Sequence, residues 1–70
     1  MDIYKNYTYR VTWSDEAQEH VALCAEFPSL SWLSVESTVA LVGIMELVKE
    51  VVAEMEQSGE EIPEPLSTQE

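Results

Sequence analysis

Apolar and polar residues alternate without a break over residues 7–13, which is the pattern of a half-buried β-strand. Aromatic and β-branched side chains occupy one phase: Tyr7, Tyr9, Val11 and Trp13. Thr8, Arg10 and Thr12 occupy the other phase, and the polar, acidic residues 14–19 that follow can reverse the chain. This stretch predicts a first strand with one face on a core.

A second alternating stretch covers residues 20–27 and predicts a strand antiparallel to the first. One phase carries the larger apolar side chains: Val21, Leu23, Ala25 and Phe27. The other phase carries mostly small side chains, so the sequence leaves open that this second face is also partly covered by another layer. Pro28 and Ser29 are expected to interrupt the pairing, because proline has no amide hydrogen to donate. Residues 30–35 then predict a short third strand.

From Glu36 to Ser58 the spacing of apolar residues changes to that of an amphipathic helix. The main apolar stripe comprises Leu41, Ile44, Met45, Val48, Val51, Val52 and Met55, and it is widened by Val39, Ala40 and Leu47. The opposite side carries Glu46, Glu50, Glu54 and Gln57. Gly59 is placed to end the helix in a left-handed turn. Gly43 in mid-helix either permits a close backbone approach or is simply tolerated there.

The order of these elements predicts an α+β fold with two layers, in which a three-stranded antiparallel sheet packs against one long helix. Prolines at 63 and 65 force the following segment to be extended, so it either adds a short edge strand, giving βββαβ, or packs without pairing. Seventy residues make one small domain. We assign it to residues 1–66 and expect residues 67–70 to be disordered.

The predicted helix is longer than the sheet beneath it. About 23 helical residues span roughly 34 Å, whereas a seven-residue strand spans roughly 23 Å. The apolar stripe therefore overhangs the sheet and needs cover from the tail, a second copy or another protein. We expect a homodimer or higher oligomer that uses the overhanging residues: Leu47, Val51, Val52 and Met55.

Charge restricts the partners of the chain. Fourteen acidic and three basic residues give a formal charge of -11 on 7.9 kDa. Such a surface repels phosphate backbones, so we expect no direct binding of nucleic acid by this chain. It favours fast association with a basic protein, although solubility alone is an equally good explanation of the charge.

No catalytic, metal-binding or cofactor-binding motif is visible. No Ser, Cys or Asp motif accompanies His20, so it is interpreted as an exposed residue at the start of a strand. Cys24 is interpreted as a small buried hydrophobic residue. For Trp13, packing in the core is at least as good an interpretation as contact with a partner. The chain contains neither a signal-peptide pattern nor a membrane-spanning stretch, and its single cysteine fits the cytoplasm.

Three segments in fixed order carry a family resemblance: residues 7–13 (YTYRVTW), 20–30 (HVALCAEFPSL) and 59–66 (GEEIPEPL). Together they resemble the N-terminal domain of the HicB-like bacterial antitoxins, which has a partial ribonuclease H fold. Two departures are visible. Residues 35–37 read VES where the family has Asp-Thr-Pro, which leaves Ser34 or Ser37 to cap the helix. The sequence also lacks the DNA-binding module that usually follows this domain.

The resemblance implies an antitoxin that binds a small basic toxin of the HicA type and blocks its cleavage of mRNA. The residues expected to contact that partner are Trp32, Glu60, Glu61, Ile62, Glu64 and Leu66. The alternative is a HicB-like oligomeric scaffold or regulator without a toxin. A metal-dependent nuclease is disfavoured, because the first strand has no carboxylate and the second offers only Glu26.

Overall fold

A computed structural model describes residues 3–66, and the predicted frayed tail at 67–70 lies outside this range. A short 3-10 helix, Ile3–Asn6, precedes three strands: β1 (Tyr9–Ser14), β2 (Glu19–Cys24) and β3 (Phe27–Ser34). One helix, α1 (Ser37–Ser58), follows. The strands form an antiparallel sheet in the order β1-β2-β3, and α1 packs on one of its faces. The predicted two-layer α+β architecture is confirmed.

The C-terminal edge strand left open by the sequence is absent from the described residues. Residues 60–65 adopt no regular secondary structure. The segment is nevertheless fixed, because the Tyr7 hydroxyl donates to the carbonyl of Pro63 at 2.7 Å. Ile62 packs against the buried cluster that contains Val52, as do Ile3 and Tyr4 of the 3-10 helix. The same chain therefore covers part of the predicted overhang.

The third strand begins earlier than predicted. It starts at Phe27 and includes Pro28, and the turn that connects it to β2 consists of Ala25 and Glu26. The prediction that Pro28 and Ser29 interrupt the pairing is confirmed, because the register passes from Cys24–Phe27 directly to Leu23–Ser31 and leaves residues 28–30 without a partner in β2. Because β3 is an edge strand, the missing amide hydrogen of a proline is tolerated there.

The core face of β2 is the small phase of its alternation. Ala22 and Cys24 are buried, whereas Leu23 is on the opposite face and is 36% exposed. A register irregularity lies between Leu23 and Cys24, next to the turn. Small side chains in the central strand let α1 lie close to the sheet, and Ile44 and Val48 fill the space between the two layers.

Both ends of α1 follow from local sequence. Gly59 has φ 79°, in the left-handed region that glycine adopts without strain, and the amides of Gly59 and Glu60 both donate to the carbonyl of Met55. At the other end, Glu36 occupies the N-cap position without a side-chain capping bond. Neither predicted serine caps the helix, although the Ser34 hydroxyl accepts a hydrogen bond from the Glu36 amide at 3.3 Å.

Candidate functional site

Two surfaces of the described chain are candidates for binding a partner. The first is an apolar groove between the edge strand and the helix, lined by Trp32, Thr38, Val39, Val42 and Gly43. The second is the acidic C-terminal segment, residues 59–66. We refer to them below as the β3–α1 groove and the acidic segment.

Trp32 and Gly43 lie directly against each other in the β3–α1 groove. Trp32 is opposite Ala22 in the strand register, so its indole lies on the helix side of the sheet. A Cβ atom at position 43 would overlap the indole Cδ1, Nε1 and Cε2 atoms. The sequence left open whether this glycine permits a close backbone approach or is simply tolerated; in the structure the group that approaches it is the Trp32 side chain and not a backbone.

The groove is open and apolar. Its volume is about 340 Å³. Trp32 is 43% exposed, Val39 49% and Val42 58%. Val39 was assigned to the apolar stripe that faces the sheet, but the structure leaves half of it in solvent, because the groove side of α1 extends beyond the cover of β3.

Besides the Tyr7 hydrogen bond to Pro63, the carboxylate of Glu26 holds the acidic segment to the sheet. Glu26, in the turn between β2 and β3, accepts the backbone amide of Thr8 at 2.9 Å and that of Leu66 at 2.9 Å. The Thr8 hydroxyl also donates to it at 3.3 Å, and the Cys24 thiol lies at 3.5 Å. This single side chain therefore connects the start of the sheet, the turn and the end of the acidic segment.

These contacts change the protonation of Glu26. Partial burial acts to raise the pKa of Glu26, but the backbone amides of Leu66 and Thr8 and its own amide outweigh burial and hold the pKa below its usual value. The carboxylate is therefore ionised at neutral pH, where it is the stronger acceptor.

Glu26→Gln is expected to destabilise the domain by about 1–2 kcal/mol at pH 7, because it removes the charged acceptor of these bonds. Because the folded-state pKa is depressed, the contribution is complete above the unfolded-state pKa and is lost as pH falls through the folded value. Urea unfolding of both chains at pH 7 and near pH 3 measures this. Exposed Glu61→Gln is the control; an equal loss for both variants would contradict the assignment.

The carboxylates predicted to bind a partner are exposed on this anchored segment. Glu60, Glu61 and Glu64 face solvent, and the carboxylate of Glu60 accepts a hydrogen bond from the Ser58 hydroxyl at 2.7 Å. Leu66 is 49% exposed. Ile62 is instead half-buried against the core, so it contributes to folding as well as lying near the surface.

The residues predicted for self-association differ among themselves. Val52 is 5% exposed and belongs to the core of its own chain. Leu47, Val51 and Met55 are half-buried. The most exposed apolar side chains of α1, Val39 and Val42, lie in its N-terminal half at the β3–α1 groove.

The structure shows the surroundings of three further residues that the sequence singled out: His20, Trp13 and Cys24. His20 is half-buried rather than exposed, with Nδ1 3.0 Å from the carbonyl oxygen of Val35 and its ring edge-on to Trp13. Trp13 is 48% exposed and donates to Asp15, so it is not part of the core. Cys24 is buried, as predicted, and burial raises the pKa of its thiol.

Within residues 3–66, no three His, Cys, Asp or Glu side chains are placed to hold a metal ion. No helix in this range is both long and apolar enough to cross a membrane.

Comparison with known proteins gave no match: no family model, curated protein or solved structure is significantly similar to this chain. The protein is therefore classified by its architecture alone. It is a small two-layer α+β domain that carries an apolar groove and an acidic, anchored segment.

Proposed function

We propose that this protein is an antitoxin of the HicB-like kind that binds a small basic toxin of the HicA type and neutralises its cleavage of mRNA. The observation that carries the proposal is the acidic segment. Three carboxylates, those of Glu60, Glu61 and Glu64, are exposed on a segment that hydrogen bonds hold in place. A fixed acidic surface binds a basic protein with less loss of conformational entropy than a mobile tail.

Neutralisation would occur by occlusion. A toxin that cleaves RNA needs a basic surface for the phosphate backbone. The acidic segment would cover that surface, and the overall charge of -11 would accelerate encounter. Leu66, on the same segment as the carboxylates, offers an exposed apolar group to anchor the complex. We place the protein in the cytoplasm, where such a toxin and its mRNA substrate would be.

The test is a pair of charge-matched variants. Reversing Glu60, Glu61 and Glu64 to Lys changes the formal charge from -11 by +6 to -5, and reversing Glu46, Glu50 and Glu54 on the exposed side of α1 gives the same -5. We expect the first variant to weaken binding of the toxin at least 10-fold and the second to change it much less. Titration calorimetry against a basic protein encoded beside the gene measures both.

Co-expression supplies the functional readout. Growth arrest by the toxin should be relieved by the natural chain and by the helix variant, but not by the variant of the acidic segment. Persistent arrest despite folded, abundant natural chain would contradict the proposal. Equal weakening by both variants would place the effect in total charge rather than in the acidic segment.

The alternative function, an oligomeric scaffold without a toxin, has support from a different feature. The β3–α1 groove is apolar and exposed, and apolar patches of this kind are typical of protein–protein contacts. Absence of a basic reading frame beside the gene, together with stable self-association, would favour this alternative.

A further inference from the structure

The free edge of β3 is weakly protected in its C-terminal half. Among residues 3–66, β3 pairs only with β2, so its outer backbone groups have no partner in the sheet. Its sequence, FPSLSWLS, contains no charged residue, and the features that oppose pairing, Pro28 and the register irregularity at residues 28–30, leave residues 31–34 as regular strand. An exposed edge of this kind is a template for another strand.

The edge and the β3–α1 groove form one continuous surface. Trp32 belongs to both, since it is in β3 and its indole lines the groove. Val39 and Val42 of α1 complete the apolar side. A strand that paired with the free edge of β3 would therefore place other side chains of its own molecule against this apolar groove.

The distribution of charge identifies the occupant. From Phe27 to Met45 the sequence contains a single charged residue, Glu36, whereas the rest of the chain carries all the other acidic and all the basic residues. Two molecules of charge -11 repel one another over most of their surfaces. They can approach where charge is absent, and this surface is such a place. A basic partner, by contrast, would be attracted to the acidic regions.

We propose that the β3 edge and the β3–α1 groove form the contact between two copies of this chain, with the two β3 strands paired antiparallel across a two-fold axis. Such pairing joins the sheets into one of six strands, twice the three of each copy, with both helices on the same face. Residues 31–34, the part of β3 with regular register, supply the paired backbone, and the grooves meet beside them. The contact is isologous, as closed dimers require.

The area available predicts a weak dimer. A strand of eight residues is roughly 27 Å long, and the smallest dimension of the molecule is 18 Å. Their product is about 500 Å² for each copy and about 1,000 Å² in total, at the lower limit for specific interfaces. Trp32 lies in this contact, and tryptophan is among the residue types most enriched at the interface positions that dominate binding energy. We therefore expect dissociation in the micromolar range.

The experiment is sedimentation equilibrium of the full chain from 5 to about 500 µM, a range chosen to span micromolar dissociation. The natural chain should show a monomer–dimer equilibrium. Val42→Glu places an extra negative charge on each copy at the contact and should raise the dissociation constant at least 10-fold. Ala53→Glu, on an exposed position of the same helix outside the groove, should change it less than threefold.

A mixture of chains tests the symmetry of the contact. Val42→Glu and Val42→Lys should each associate poorly alone, whereas their equimolar mixture should associate more tightly than either. In parallel, amide hydrogen exchange should show protection within residues 31–34 that increases with protein concentration.

A chain that remains monomeric throughout, or loss of association with Ala53→Glu as large as with Val42→Glu, would overturn the proposal. So would association that survives Val42→Glu but is abolished by Met55→Glu, which would place the contact on the other half of α1. None of these outcomes depends on binding of a toxin, since the residues tested there lie on the acidic segment and on the exposed side of α1.

Discussion

Ile44→Ala is expected to remove a large part of the stability of this domain. Ile44 is fully buried between the sheet and α1. Truncating such a side chain costs about 2–5 kcal/mol, because apolar contacts are lost and the cavity collapses only in part. A chain of this length has a total stability of roughly 4–10 kcal/mol. The variant should therefore unfold at a urea concentration lower by about 2 M or more.

Val42→Ala is the matched control, since it lies two positions away on the same helix and is 58% exposed. Its effect should stay within about 0.5 kcal/mol. Urea unfolding followed by circular dichroism compares both variants at a protein concentration low enough for the monomer. Similar losses for the two variants would mean that α1 presents a different face to the sheet.

The helix was predictable from sequence almost to the residue, because two independent signals agree there. The period of the apolar residues sets its face, and Gly59 sets its end through a left-handed conformation. The strands were predictable in number and direction, but less so in their limits. Pro28 was correctly predicted to interrupt the pairing, but the sequence did not show that β3 already begins at Phe27, on the other side of this interruption.

The core face of β2 illustrates a limit of alternation. Larger apolar residues such as Leu23 suggested the core, yet the buried positions are Ala22 and Cys24. Alternation defines two faces but not which face the helix covers. The choice depends on how closely α1 approaches, and that distance is set by side chains far away in sequence.

The candidate sites divide in the same way. The acidic segment was visible in the sequence, because a local cluster of charge needs no tertiary information. The Glu26 contacts to Thr8 and Leu66 join residues separated by 18 and 40 positions, and no local pattern indicates them. The β3–α1 groove was partly visible, since both Trp32 and Gly43 were singled out separately, but only the fold places one against the other.

Gly43→Ala is expected to drive the Trp32 indole away from α1. The added methyl group would overlap the indole ring. Overpacking of this kind costs about 1–3 kcal/mol, and the better helix propensity of alanine offsets up to about 1 kcal/mol of it. The net result is a less stable domain with a more exposed tryptophan. Fluorescence in a Trp13→Phe background, where Trp32 is the only tryptophan left, should show a red shift on Gly43→Ala.

A double-mutant cycle separates the overlap from helix propensity. When Trp32 is first replaced by alanine, nothing remains for the methyl group to overlap, and Gly43→Ala should then stabilise the domain by up to about 1 kcal/mol. The sign of the same substitution thus reverses with the presence of the indole. A Gly43→Ala effect that is identical in both backgrounds would show that Trp32 does not lie against this glycine. In that case the β3–α1 groove, and the dimer contact proposed there, would lose their structural basis.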